Sequence, residues 1–176
     1  MKKLIAVLLT LCCLVPVFAA CGDKGEVPDN MQEAAIASAP YHLYVPTTWL
    51  TTTESGVSGA RVNSTVDIAN VTVTAYYPDE VMTPAAYFEN VCLPSYTANL
   101  KSFSRLTELD GDTTLGGKDA KCYVFVHTLD ETIYQVKQII VAQGSVIYVL
   151  TYTAKSTNYD TYVGDVEEIR SHFTFR

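Results

Sequence analysis

AKCYVFVHT (residues 120–128), TIYQVKQIIVA (132–142) and SVIYVLTYT (145–153) follow one another, with Leu129-Asp130-Glu131 and Gln143-Gly144 between them. Each run is rich in β-branched and aromatic residues and each break carries turn residues. The stretch therefore reads as three antiparallel strands joined by tight turns. Val146, Tyr148 and Leu150 point one way while Ile147 and Val149 point the other, and Val124 and Val126 likewise oppose Tyr123 and Phe125. An antiparallel sheet with one wet face alternates apolar with polar residues. These strands do not, so their sheet must be covered on both faces.

Outward from this meander, further elements supply candidate cover. Tyr41–Val45 alternates and stops at Pro46, and NVTVTAYY (70–77) is a β-branched run ending at Pro78. Between them, Thr51–Ala69 reads as loop with short strands near Ala60–Asn63 and Thr65–Ala69. Thr83-Pro84 pairs an N-cap residue with a proline at the first helical position, predicting a helix to about Val91 that Pro94 stops. Phe103–Leu109 reads as a strand with Asp110-Gly111 as its turn. Over Asn158–Ser171, Tyr159, Tyr162, Val166 and Ile169 recur at helical spacing, and Phe173-Thr174-Phe175 follows as a short strand. The only tryptophan, Trp49, is expected to cover one end of the sheet with its ring.

The amino terminus reads differently. MKKLIAVLLTLCCLVPVFAAC (1–21) has a positive start at Lys2 and Lys3, an apolar stretch from Leu4 to Phe18, and small Ala19 and Ala20 before Cys21. The apolar stretch has 15 residues, interrupted by Thr10 and Pro16. A permanent bilayer-spanning helix needs about 20, so residues 1–20 read as an export signal. Phe18-Ala19-Ala20-Cys21 resembles the bacterial lipobox, in which the cysteine thiol receives a diacylglyceryl group before cleavage on its amino side. Ordinary cleavage after Ala19 also fits Val17-Phe18-Ala19, but a cysteine directly behind two alanines favours lipidation of Cys21. Two acyl chains hold a protein on a membrane where one binds marginally. Residues 21–40 contain no aromatic residue and several acids and read as a tether, with a marginal helix after Asn30-Met31-Gln32-Glu33. As a coil, ~18 residues span roughly 25 Å. The folded domain is expected over residues 41–176.

The chain has 176 residues and a formal charge of −7, which becomes −9 once Lys2 and Lys3 leave with the signal. Such acidity disfavours nucleic acid as a partner, because phosphate binding needs clustered Lys and Arg. No catalytic or metal-binding motif stands out. Gly56-Val57-Ser58-Gly59-Ala60 lacks the last glycine of a nucleophile elbow, and a strand-like run follows it rather than a helix. Around Gly117-Lys118 a phosphate loop would need other residues than Asp112 and Asp119. Asp110-Gly111-Asp112 departs from a calcium loop at Leu115 and Lys121. His42, His127 and His172 show no metal-ligand spacing; Glu168 lies one turn before His172, which also suits a helix C-terminus. No cofactor is implied.

Cys92 and Cys122 remain after processing. Export permits a disulfide between them, and two buried thiols fit equally well. Of the 12 tyrosines, adjacent Tyr76 and Tyr77 must face opposite ways in a strand, which makes them a candidate interface.

The order of these features resembles a known superfamily. An aromatic entry strand runs into Pro46-Thr47-Thr48-Trp49, and a Thr-Pro helix follows. Then come Leu115-Gly116-Gly117-Lys118-Asp119-Ala120, Tyr148–Ala154, and a final helix entering Ser171-His172-Phe173-Thr174-Phe175. Residues 40–176 resemble the superfamily of the photosystem II protein PsbP and the Ran-binding nuclear-transport factor, which includes bacterial lipoproteins. The resemblance implies an α+β fold, an α/β/α sandwich whose central, mostly antiparallel sheet is covered by helices on both faces. It brings no catalytic residues, and its better-known members bind proteins and support assemblies. The expectation is a membrane-anchored, extracytoplasmic, non-enzymatic module with an envelope protein as partner. A small-ligand-binding lipoprotein is the alternative, and an unrecognised hydrolase a more distant one.

Overall fold

Long strands that are apolar on both faces can only sit at the centre of a layered structure, and that is where they lie. A computed structural model describes residues 26–52 and 57–176; the signal segment, Cys21 and Gly56 lie outside the described residues. In chain order the strands are β1 (Met31–Glu33), β2 (Tyr41–His42), β3 (Tyr44–Pro46), β4 (Trp49–Thr52), β5 (Ser58–Val62) and β6 (Asn70–Tyr76). They continue with β7 (Lys101–Arg105), β8 (Gly111–Leu115), β9 (Lys118–Leu129), β10 (Thr132–Gln143), β11 (Val146–Lys155) and β12 (Thr174–Phe175). The main sheet is antiparallel in the order β4-β5-β6-β11-β10-β9-β7, with β8 also on β9; β1 pairs with β3 and β12 with β2. The β9–β10 turn is two residues, Asp130 and Glu131, both at positive φ, as the twist of a tight hairpin demands.

Two apolar layers cover the sheet. The front layer packs Val71, Val73, Ile139, Val141, Leu150 and Tyr152 under the N-terminal segment, helix α3 (Val163–His172) and Phe173. (Helices α1, Pro84–Tyr87, and α2, Leu93–Asn99, lie on the back.) Val166 and Ile169 of the helical stripe are fully buried, and Tyr159 precedes them in a 3₁₀ turn. Three polar ties hold this layer: Trp49 Nε1 donates to Asp165 Oδ2 at 2.8 Å, Tyr152 Oη to the Tyr159 carbonyl at 2.7 Å, and Lys137 pairs with Glu167. Burial alone would raise the Glu167 carboxyl, but the hydrogen bonds from Lys137 and Arg170 outweigh it and hold the group below its ordinary value.

The N-terminal segment departs from its sequence reading. Residues 31–39 belong to the body, where Met31, Ala34 and Ala39 are buried. Asn30 has φ 58°, and the chain continues as strand β1 rather than as a helix. The reason lies in Glu33, whose carboxylate does not close a capping box. It accepts from the amides of Ala35 and Leu43 at 3.1 and 3.0 Å and meets His42 Nδ1 at 2.7 Å. Arg176 closes the arrangement from the other terminus, with Nε 3.3 Å from His42 Nε2 and Nη1 donating to the carbonyls of Ala37 and Ala39.

The back layer is a single helical stretch, residues 84–99, started by Thr83, whose Oγ1 accepts from Ala86 N at 3.1 Å. It does not stop at Pro94. Between α1 and α2 the turn Phe88–Cys92 widens to a π-helix, with Leu93 N donating to the Phe88 carbonyl. That widened turn admits a proline that would otherwise clash with the preceding turn. Phe88, Cys92, Tyr123, Ile140, Ile147 and Val149 form the apolar layer beneath, and Arg105 lies 4.9 and 5.0 Å from the rings of Phe88 and Tyr123 while pairing with Glu89 and Asp110. The β4–β6 part of this face carries Thr52, Arg61, Asn70 and Thr72 and is open. Trp49 starts strand β4, and residues 65–69 form a loop rather than the expected second short strand.

Trp49 is 3% exposed, and its ring meets Tyr162 edge-on at 6.1 Å. Trp49→Ala empties that site and strands Asp165, so it should lower unfolding free energy by about 3–5 kcal/mol in chemical denaturation. Trp49→Phe, which keeps the ring but not the donor, should cost less.

Candidate functional site

The register gives the sheet two distinct ends. At the lower end Met31 lies beside Pro46, the Gln32 side chain donates to the Trp49 carbonyl, Trp49 pairs with Val62, and Asn70 with Thr153. At the upper end Ile36 N donates to Ser58 Oγ, Ser58 pairs with Val73, and Tyr76 with Ile147.

A groove of about 400 Å³ opens on the front face at the upper end, walled by Ile36, Pro40, Tyr41, Val73, Tyr77 and Tyr148. Its aromatic walls are fixed from behind. The Tyr41 ring stacks on Phe173 at 5.2 Å and meets Tyr148 edge-on at 5.8 Å, and Tyr148 in turn meets Phe175 at 5.3 Å. Gly116 sits at φ 59° against Phe175, where a Cβ would fall 2.7 Å from the ring, so the Leu115-Gly116-Gly117 turn can close only with glycine there. Tyr41 Oη is 2.9 Å from Ser58 Oγ. Burial pushes the Tyr41 and Tyr148 phenols up, so both remain neutral at ordinary pH. Tyr41 is committed to Ser58, while the Tyr148 hydroxyl has no hydrogen-bond partner among the described residues. An apolar cleft with a few hydroxyl groups is a general pattern for ligand and partner recognition.

The two candidate interface tyrosines separate at this rim. Tyr76 points to the back, where its ring lies 4.9 Å from Tyr87, and Tyr77 stands 73% exposed beside the groove. Sequence reasoning named Tyr77 but not its neighbours, because Tyr41 and Tyr148 are far apart in the chain and read as core residues.

The histidines do not converge. His42 is held by Glu33 and Arg176, His127 stacks on Tyr134 at 5.6 Å, and His172 Nδ1 lies 3.4 Å from the Glu168 carbonyl at the end of α3. Among the described residues no three His, Cys, Asp or Glu side chains form a metal-binding group. The disulfide alternative for Cys92 and Cys122 is overturned: both thiols are free. The sheet separates them. Cys122 pairs with front-facing Ile139, whereas Cys92 packs against back-facing Tyr123 and Ile140. Burial raises both thiols, with Tyr96 and Tyr87 only partly offsetting it at Cys92, which leaves neither poised as a nucleophile.

No protein-family model and no curated protein sequence matches the chain. Solved structures do match in fold. LpqN, involved in cell envelope biogenesis of Mycobacterium tuberculosis, is 18% identical with a TM-score of 0.56, over 83% of this chain and 91% of that one. Cyanobacterial PsbP (CyanoP) from Synechocystis sp. PCC 6803 is 11% identical with a TM-score of 0.58, over 90% and 99% of the two chains. The Saccharomyces cerevisiae Ran-binding protein Mog1p is 8% identical with a TM-score of 0.54, over 83% and 95%. The architecture is thus the α+β sandwich of the PsbP and Mog1p fold, as the order of sequence features implies.

The cysteine geometry has a direct check. In the folded protein, 5% exposed Cys92 and 8% exposed Cys122 should resist alkylation. In denaturant without reductant, both should alkylate fully, and peptide mapping should find no peptide linking the two.

Proposed function

We propose that this protein is a lipid-anchored, extracytoplasmic binding module that performs no covalent chemistry, and that it engages an envelope protein through the groove at the upper end of its sheet. The lipobox-like Phe18-Ala19-Ala20-Cys21 supports the anchor and the location. A fold shared with a protein of mycobacterial cell envelope biogenesis and with a Ran-binding protein is compatible with a binding role, though fold alone does not assign one.

One observation carries the binding surface: Tyr77 holds its ring in water beside a groove already walled by two rigid tyrosines. Tyrosine is favoured at interfaces because it joins a large apolar area to a hydroxyl. A partner that covers Tyr77 and fills the groove would find a preformed surface and meet little ordering cost. The groove volume also falls within the general range for small-molecule sites, and the unengaged Tyr148 hydroxyl favours a small ligand as the second reading.

Photo-crosslinking separates the two. A benzophenone amino acid at position 77, activated in intact membranes, should give one discrete protein adduct, and the same probe at exposed Asp112 should not. A gain of only small-molecule mass at position 77 would favour the ligand reading. Tyr77→Ala should change the unfolding free energy by no more than about 0.5 kcal/mol, as exposed positions do, and weaken binding of the crosslinked partner once it is purified.

A further inference from the structure

The lower end of the sheet carries a different surface. Val66 is 71% exposed at the tip of the loop 63–69, Ile68 lies beside it, and Leu129 and Ile133 stand exposed on the β9–β10 hairpin at the same end. Their exposure is not a loose-loop effect. Ser64 Oγ accepts from the amides of Val66 and Asp67, Asp67 is held by Asn158 and Tyr162, and Lys155 Nζ donates to the Val66 carbonyl at 3.1 Å. The loop is therefore built to present Val66 outward. Against the open back face it closes a cleft of about 410 Å³ lined by Thr52, Arg61, Ser64, Thr65, Asn70 and Thr72. Arg61 pairs with no carboxylate among the described residues, and Asp130 and Glu131 sit at the hairpin tip.

Chain length says what meets this end. The body begins at Met31, at the lower end, ten residues beyond Cys21. Ten residues reach at most about 35 Å fully extended, and about 17 Å root-mean-square as a coil. Strand β10 has 12 residues, about 40 Å at strand rise. A tether shorter than the body, joined at one end of it, keeps that end within reach of the bilayer.

We propose that the lower end lies on the surface of the bilayer that holds the Cys21 lipid, with Val66, Ile68, Leu129 and Ile133 entering the headgroup region. This rests on the lipid-anchor reading. Arg61 and Lys155 meet lipid phosphates, and Asp130 and Glu131 meet headgroup ammonium groups, a mixture that fits zwitterionic lipid. Aliphatic side chains ringed by both charge types suit that interface, and the overall acidity of the chain argues against a strongly anionic one.

The test uses the full lipidated chain in vesicles of phosphatidylcholine and phosphatidylethanolamine carrying a headgroup nitroxide. A bimane fluorophore is placed by Val66→Cys, Ile133→Cys or Asp79→Cys; Cys92 and Cys122 are buried and do not compete for label. Fluorescence should fall at position 66 or 133, or at both, and stay at its unquenched level at position 79. Two lower-end positions guard against one variant failing to fold. If the chain floats with the vesicles but 66 and 133 stay unquenched, or 79 is quenched equally, the orientation is overturned and the anchor reading survives. If the unsubstituted chain does not float, both are overturned.

Discussion

Burial of β9, β10 and β11 on both faces is the constraint from which the rest follows. Ile139 and Leu150 press forward while Ile140 and Val149 press back, so neither face can be left to water. The two covers are built differently. On the front, pieces from both ends of the chain meet: the N-terminal strands, α3 and β12. On the back one local stretch, residues 84–99, suffices, and it is bent by a π-turn around Pro94. The front cover depends on long-range polar ties, the Trp49–Asp165 bond and the Glu33–His42–Arg176 arrangement among them. Arg176 Nε can donate to His42 Nε2 only if that nitrogen is unprotonated, which places the imidazole proton on Nδ1, facing Glu33. Glu33 near the start of the described residues and Arg176 are thereby joined through the His42 ring.

Neither cover spans the whole sheet. The helical stretch meets β6 only at its end, where Tyr76 lies on Tyr87, and leaves the rest of β4–β6 bare, and the front cover thins out where β6 ends beside Tyr41. Those two shortfalls make the two clefts, one at each end and on opposite faces. The position of the groove is thus a consequence of core packing. Phe173 and Phe175 complete the front layer, and in doing so they back the rings of Tyr41 and Tyr148.

The meander, the α3 stripe and the two-sided cover were legible in the sequence because each is a local pattern of apolar spacing. Tyr159, Val166 and Ile169 fall inside as their spacing demands. Pattern failed where a distant group decided the outcome. Asn30-Met31-Gln32-Glu33 has capping-box spacing, yet Glu33 bonds the Leu43 amide and His42, and the segment becomes a strand edge. Pro94 reads as a helix stop because an α-helix has no room for its ring, and a π-turn makes that room. The cysteines looked pairable because sequence does not say which side of a sheet a helix covers. The groove was half legible: adjacent tyrosines in a strand must diverge, but which one is left bare depends on where Tyr87 lies.

The two ends of the sheet present different exposed surfaces. Tyr77 stands at the upper end beside a hydroxyl-bearing groove, with Val81 exposed four residues on, and a cluster of aliphatic Val66, Ile68, Leu129 and Ile133 stands at the lower end among charges of both signs. Scattered surface apolar residues need no explanation, but a cluster that includes a side chain held outward by an ordered loop does. Phenol rings suit a surface that must both pack and hydrogen-bond in a fixed geometry, as at a protein interface. Branched aliphatics offer no such directionality and suit a fluid medium that only has to be apolar. A stiff sheet between the two keeps them apart, so the lower end can stay against one medium while the upper end meets another, with no motion of the core required.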